Sequence, residues 1–254
     1  MAGEWLRTRL TEADLAFVVE AGAPHRPDPE RVARMLRENP DFVDPLLEKD
    51  EVFQFVMGQR ERLLKLSPFL LFYILLLRVR NDLRRHPHTP ELVGHERLLL
   101  FDGAAVARLL SDERTRVYLA EMLASFARSR QFLVYRLEAD GKVRPRVYSD
   151  TRVEDLIELL GAVPQASRYP IYRRLGDLCL LLTGLFPEST PEETRTQLTA
   201  VGTESYRRAA RTARAEETGY RPILEGLADQ FDLARKPLHL LRHQYLAGVF
   251  GPLN

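Results

Sequence analysis

The sequence predicts an all-α fold, a multi-helix globular bundle with a single β-hairpin near residues 132–148. Three observations lead there. Cap-and-first-turn signals recur at Thr11, Asp28-Pro29, Asp44-Pro45, Ser67-Pro68 and Thr190-Pro191, each ahead of apolar residues at helical spacing. The run Phe69 to Leu77 is apolar on every side apart from the Tyr73 hydroxyl, as a fully enclosed helix requires. A clear strand signal is confined to Phe132–Tyr148, where branched and aromatic residues alternate on either side of Asp140-Gly141.

Taken in order, Thr11 starts a short helix with Leu15, Phe17, Val18 and Val19 on its apolar side, and a loop with three prolines follows. Asp28 caps a helix bearing Val32, Met35 and Leu36, which Asn39-Pro40 ends. Asp44-Pro45 opens a helical segment to Leu66, with Leu46, Leu47, Val52, Phe53, Phe55, Val56 and Leu63 as its apolar positions. Next comes the central helix, Ser67 to Arg85. Ser67 is a good N-cap, and Pro68 suits the first turn because an N–H there has no helical partner. The basic final turn complements the helix dipole.

His86 to Gly94 is rich in breakers. It marks the place where one helical domain of 1–254 would subdivide into an N-terminal part (1–90) and a C-terminal part with the hairpin (91–254). After the apolar run Leu98–Phe101, Asp102 and Ser111 are expected to cap two consecutive helices, the second amphipathic through Tyr118, Leu119, Met122, Leu123 and Phe126. The hairpin follows, with Pro145 restricting its return to an edge strand. Thr151 is expected to cap a helix to Leu160. Tyr169-Pro170 opens a second strongly apolar helix through Phe186, expected to pack on the first. Thr190 to Glu193 reads as a capping box for a thinly apolar helix to about Glu217, and Lys236-Pro237 parts the last two helices.

The 254 residues carry a net charge of +1, so no global field attracts nucleic acid or an anionic membrane, and such a partner would need a local patch. There are four lysines against 33 arginines. A single cysteine, Cys179, excludes a disulfide framework and a cysteine-based metal site. The first residues show no basic stretch followed by an apolar one, so no signal peptide is expected and the cytoplasm is the expected compartment. The nine apolar residues of the central helix are too few for a bilayer, which needs about 20, so no membrane span is expected.

Candidate chemistry is sparse. His239 and His243 stand at i, i+4, a spacing that can set two imidazoles on one metal, with Glu225 or Asp229 of the preceding helix as carboxylate ligands. The Glu-x-x-His pattern of di-metal bundles is missing, and an exposed histidine pair on an arginine-rich helix is the plainer reading. Asp177 interrupts Leu175–Leu180 and is the one candidate catalytic residue; its plainer role is an ion pair with Arg173 or Arg174. Nucleic acid has two candidate contacts: Arg136, Lys142, Arg144 and Arg146 on the hairpin, as the wing of a winged helix, and the stripe Arg207, Arg208, Arg211 and Arg214 beside Tyr206. Glu204, Glu216 and Glu217 partly neutralise that stripe. Phosphate loops, nucleophile elbows and zinc-protease signatures do not occur, so no cofactor is implied.

Three phrases carry a family resemblance: Tyr118–Phe126 (YLAEMLASF), Gly176-Asp177 with Gly184-Leu185-Phe186-Pro187-Glu188 six residues on, and Ser205-Tyr206-Arg207. From about residue 110 onward the chain resembles a group of uncharacterised bacterial helical proteins. That resemblance implies no activity, so no functional residue is carried over. The functional expectation is a non-catalytic helical protein that binds a partner protein or an apolar small ligand, with homo-oligomerisation compatible. The alternatives are a metal-dependent helical-bundle enzyme and a winged-helix-like DNA-binding regulator.

Overall fold

The computed structural model describes residues 4–58, 66–93, 96–137 and 142–246. The expected fold class is found: among the described residues fourteen α-helices dominate, joined by two small two-stranded sheets. The chain divides into two compact units, one of residues 1–91, 98–127 and 243–254, the other of 92–97 and 128–242.

In the first unit α1 (Glu4–Arg7), α2 (Glu12–Gly22), α3 (Pro29–Glu38), α4 (Val43–Leu47) and α5 (Asp50–Met57) precede the central helix α6 (Pro68–Arg85). Leu63 and its neighbours lie outside the described residues. Local signals hold in three places. Thr11 and Asp14 form a reciprocal capping box, Asp28 accepts the Arg31 N–H, and Ser67 Oγ accepts the Leu70 N–H at 3.1 Å. Phe69, Leu70 and Ile74 to Leu77 are buried, as an all-apolar helix demands. Helices α7 (Gly103–Leu109) and α8 (Glu113–Ser125) lie against α6.

The second unit is organised around α10 (Tyr169–Leu185), which packs on α9 (Val153–Ala162), α11 (Glu192–Ala210) and α14 (Phe231–Leu240), with α12 (Ala213–Glu217) and α13 (Arg221–Asp229) between the last two. The two apolar helices therefore each centre a different unit. Packing around α10 depends on glycines. A Cβ on Gly176 would stand 2.6 Å from the Tyr206 ring, one on Gly184 2.8 Å from Leu238 Cβ, and one on Gly202 2.6 Å from Phe231. The Gly-Asp…Gly phrase is thus a close-approach device between helices.

Several local expectations are corrected. A second ribbon, β1 (Thr89–Val93) with β2 (Glu96–Leu100), occupies the stretch that its prolines and Gly94 mark as a connection. Asp112, not Ser111, caps α8 through the Thr115 N–H at 2.9 Å. Asp102 makes no cap bond and instead accepts from Thr89 Oγ1 at 2.5 Å. Arg152 rather than Thr151 precedes α9. Pro191 occupies the N-cap of α11, so the Thr190 box does not form; the Thr190 hydroxyl donates to the Phe186 carbonyl. The helix expected to reach Glu217 breaks at Arg211, and Thr212 caps α12. Pro237 sits inside α14, and a π-helical turn, Leu241–Leu246, follows. Ala234, Pro237 and Leu238 are all buried, Leu238 against Gly184.

The glycine contacts carry a stability prediction. Gly176→Ala should lower stability by about 1–3 kcal/mol in urea unfolding, because the Tyr206 ring has to move. Gly226→Ala, at a helical site with open space around it, should raise it by about 0.5–1 kcal/mol.

Candidate functional site

β3 (Gln131–Leu137) and β4 (Val143–Ser149) pair antiparallel without a register break, from Gln131 opposite Ser149 to Leu137 opposite Val143. The Asp140-Gly141 turn lies outside the described residues. The base of this ribbon is pinned by Asp150, whose side chain is 4% exposed. Its Oδ1 accepts the Arg130 N–H at 2.8 Å, and its Oδ2 pairs with Arg174 Nη2 of α10 at 2.9 Å. Arg174 Nε also donates to the Asp150 carbonyl at 3.1 Å. From α9, Asp155 accepts the Ser149 N–H at 2.8 Å and Glu158 pairs with Arg146 at 2.6 Å.

These anchors decide which face is covered. Phe132 and Val134 share one face with Tyr148, Arg146 and Arg144 by register. That face is turned inward at its base, where Tyr148 is 1% exposed and Arg146 meets α9. The opposite face holds Leu133, Tyr135, Val147 and Pro145 and carries no charge. Leu133 is 56%, Val147 55% and Tyr135 68% exposed. A sheet with one solvated face ordinarily turns its polar residues to water; here the apolar face points outward. Contiguous apolar patches are uncommon on the surface of soluble monomers.

Asp177 is buried, but its oxygens are engaged. Tyr206 of α11 donates to Oδ1 at 3.0 Å, and Arg173 Nε stands 3.9 Å from Oδ2. The Arg173 guanidinium also lies over the Tyr220 ring at 4.4 Å. The ion pair with Arg173 is therefore the arrangement found, whereas Arg174 is directed to Asp150. Cys179, two residues on, faces Gly202, and burial pushes its thiol up to about 12.

The remaining candidates are dispersed. Arg144 and Lys142 are exposed on the ribbon, and the Arg136 side chain lies outside the described residues. Helix α8, which a winged helix would present to DNA, is buried from Thr115 to Ala120 and again at Met122 and Leu123. Of the arginine stripe, Arg208 pairs with Glu204 at 2.8 Å, Arg214 with Glu217 at 3.0 Å and Arg207 with Asp229 at 3.7 Å, while Arg211 is exposed. The Arg208 hydrogen bond holds the Glu204 carboxyl below its usual range. Glu225 pairs with Arg221 at 3.1 Å. His239 lies in α14 and His243 in the π-helical turn, both half-buried. Among the described residues no three His, Cys, Asp or Glu side chains gather as a metal ion requires.

Sequence reasoning missed one polar cluster. In the first unit, Arg116 is 2% exposed and pairs with Asp44, donates to the Leu110 carbonyl at 2.6 Å and meets the Tyr73 hydroxyl at 3.2 Å. Tyr73 donates to Asp44 at 2.6 Å, and burial drives its phenol well above the ordinary value. Arg80, paired with Glu48 beside this cluster, is pushed down to about 10 by burial and by the charges of Arg116 and Arg84. The helical spacing of Arg116 matches its leucine neighbours and would have placed it in the core, but not named its partners. The same unit bears a surface cleft of about 1300 Å³ between α2, α3 and Lys49, rimmed by Arg26, Arg31, Arg34 and Glu38.

The thiol environment sets a pH dependence. Because the folded thiol titrates above an exposed one, its contribution to stability is complete below about pH 9 and is lost as pH rises toward 12. Urea midpoints measured above pH 9 should therefore fall more steeply in the wild type than in Cys179→Ala, and equal slopes would contradict the burial argument. Comparison with models of known families, with curated proteins and with solved structures finds no match.

Proposed function

We propose that the chain is a non-catalytic helical protein that binds a partner protein through the outer face of the β3–β4 ribbon. One observation carries the reading: the face that pattern would bury, Leu133, Tyr135, Val147 and Pro145, is the face left in solvent. A ribbon anchored by Asp150, Asp155 and Glu158 can hold those side chains in place before a partner arrives, which lowers the ordering cost of binding. Such side chains stand open to solvent, unlike the enclosed sites that take small ligands, so they favour the protein-partner reading over the apolar-ligand one. The carboxylates held inside the fold point the same way. Asp44 and Asp177 are held by arginine and tyrosine within the fold, as structural groups are.

Two measurements test the proposal together. Leu133→Glu should change urea stability by no more than about 0.5 kcal/mol, as an exposed apolar residue allows. A photo-cross-linking residue placed at Tyr135 should yield discrete protein adducts in cells that disappear when Leu133→Glu is added, whereas the same group at Met35, on the other unit, should not. Adducts indifferent to Leu133→Glu, or no adducts from Tyr135, would sink the proposal.

A further inference from the structure

The surface cleft of the first unit is lined by α2, α3, the chain between them, and Leu46 and Lys49. At about 1300 Å³ it has room for a small ligand, since ligand clefts run from about 300 Å³ upward. Part of its lining is apolar. Val32 and Leu46 are half-buried, and Met35 is 44% exposed. A Cβ on Gly22 would stand 3.3 Å from Leu46 Cβ, so α2 and α4 meet closely here. Pro24 and Pro27 fix the backbone of the lining loop, and Lys49 Nζ is held by donating to the Gly22 carbonyl at 2.8 Å.

Arg26, Arg31 and Arg34 line the same cleft, and their charges are uncommitted. Elsewhere the fold sets its arginines against carboxylates, as at Arg78, Arg80, Arg116, Arg174, Arg208 and Arg221. Arg37, on α3 but not in the cleft lining, pairs with Glu12. Among the described residues the three cleft arginines make no ion pair and no side-chain hydrogen bond. Arg34 stands four residues after Glu30 and four before Glu38, a spacing that permits a pair, and it makes neither. Asp28 is already engaged, accepting the Arg31 N–H at 3.1 Å as the cap of α3. With Lys49, four cations face two carboxylates, Asp28 and Glu38, an excess of two positive charges.

That excess matches a dianion. A guanidinium presents a planar fork of donors that fits phosphate oxygens, and a phosphate monoester carries about −1.5 to −2 charges at pH 7. Val32, Met35 and Leu46 offer apolar surface to whatever group the phosphate carries. We infer that the cleft binds a small soluble organic phosphate, its head on Arg26, Arg31 and Arg34 and its apolar body on Val32, Met35 and Leu46. The site lies in the first unit and no residue of the β3–β4 ribbon lines it, so it stands or falls apart from the partner-protein reading.

The probe is phenyl phosphate, titrated into the full chain by calorimetry. Saturable binding with a Kd of about 1 mM or below is expected, and it should weaken as salt rises. Arg31→Gln with Arg34→Gln should weaken binding about tenfold or more. Both side chains are exposed, so the urea midpoint should not fall. Arg37→Gln should change the affinity by less than about twofold. Met35→Gln should weaken phenyl phosphate by about threefold and leave inorganic phosphate unaffected. No saturable binding, or equal binding by the double arginine variant, would overturn the site. Phthalate binding as tightly as phenyl phosphate would overturn the phosphate head, and inorganic phosphate binding as tightly would overturn the apolar body. Capture by a single-stranded oligonucleotide or by phosphatidylglycerol vesicles, with no binding of phenyl phosphate, would assign these arginines to nucleic acid or to a membrane and remove the small ligand.

Discussion

A carboxylate taken out of water has to find its hydrogen bonds inside the fold, and in this protein that requirement ties together elements far apart in sequence. Asp150 is the clearest case. It joins the first residue ahead of β3, the end of β4 and the middle of α10 through one buried side chain and its own carbonyl. Asp14 does the same at the start of α6: while it closes the Thr11 capping box with Oδ2, its Oδ1 accepts the Ser67 N–H at 3.0 Å. Asp44 links α4, α6 and α8 through Tyr73 and Arg116, and Asp177 links α10 to α11 through Tyr206. Leaving out a partner of Asp14, Asp150 or Asp177 would strand a buried charge, which is far costlier than the pair is stabilising.

The ties have a consequence for the surface. Because Asp150, Asp155 and Glu158 take hold of the β3–β4 ribbon at its base and along its basic face, the apolar face has no helix to lie against. A lone two-stranded ribbon is marginal in water, and here polar anchors add to the burial of Tyr148. The shape of the second unit thus accounts for an exposed Leu133, Tyr135 and Val147 without any flaw in its core, which α10 fills through close helix approach at Gly176, Gly184 and Gly202. The other ribbon shows a related feature at its end, where Leu98, Leu99 and Leu100 are exposed and Phe101 is 88% exposed.

Legibility in the sequence followed the range of each interaction. Caps at Thr11, Asp28 and Ser67 were readable because donor, acceptor and apolar start lie within a few residues. Thr190 failed as a cap because the helix begins one residue later, with Pro191 at the N-cap, and its hydroxyl donates to the Phe186 carbonyl. Asp102 failed because Thr89, distant in sequence, claimed it. Pro237 reads locally as a helix break, yet the helix runs through it, with Leu238 packed on Gly184 of α10. Asp177 drew attention as a charge among leucines, and Arg173 was named as its partner; Tyr206, 29 residues away, could not be.

By itself the sequence determined the helical class, the enclosed helix from Ser67 to Arg85, the second apolar helix and the strand pair near residues 132–148. Periodicity, propensity and capping are local, and they agree with one another over those stretches. Only the tertiary structure decided that the two apolar helices centre different units, that Arg116 is buried on Asp44, and that the ribbon turns its apolar face outward. An alternating strand specifies which residues share a face, but not which face finds a neighbour. That choice belongs to Asp150, Asp155 and Glu158, whose partners meet them only after the chain has folded.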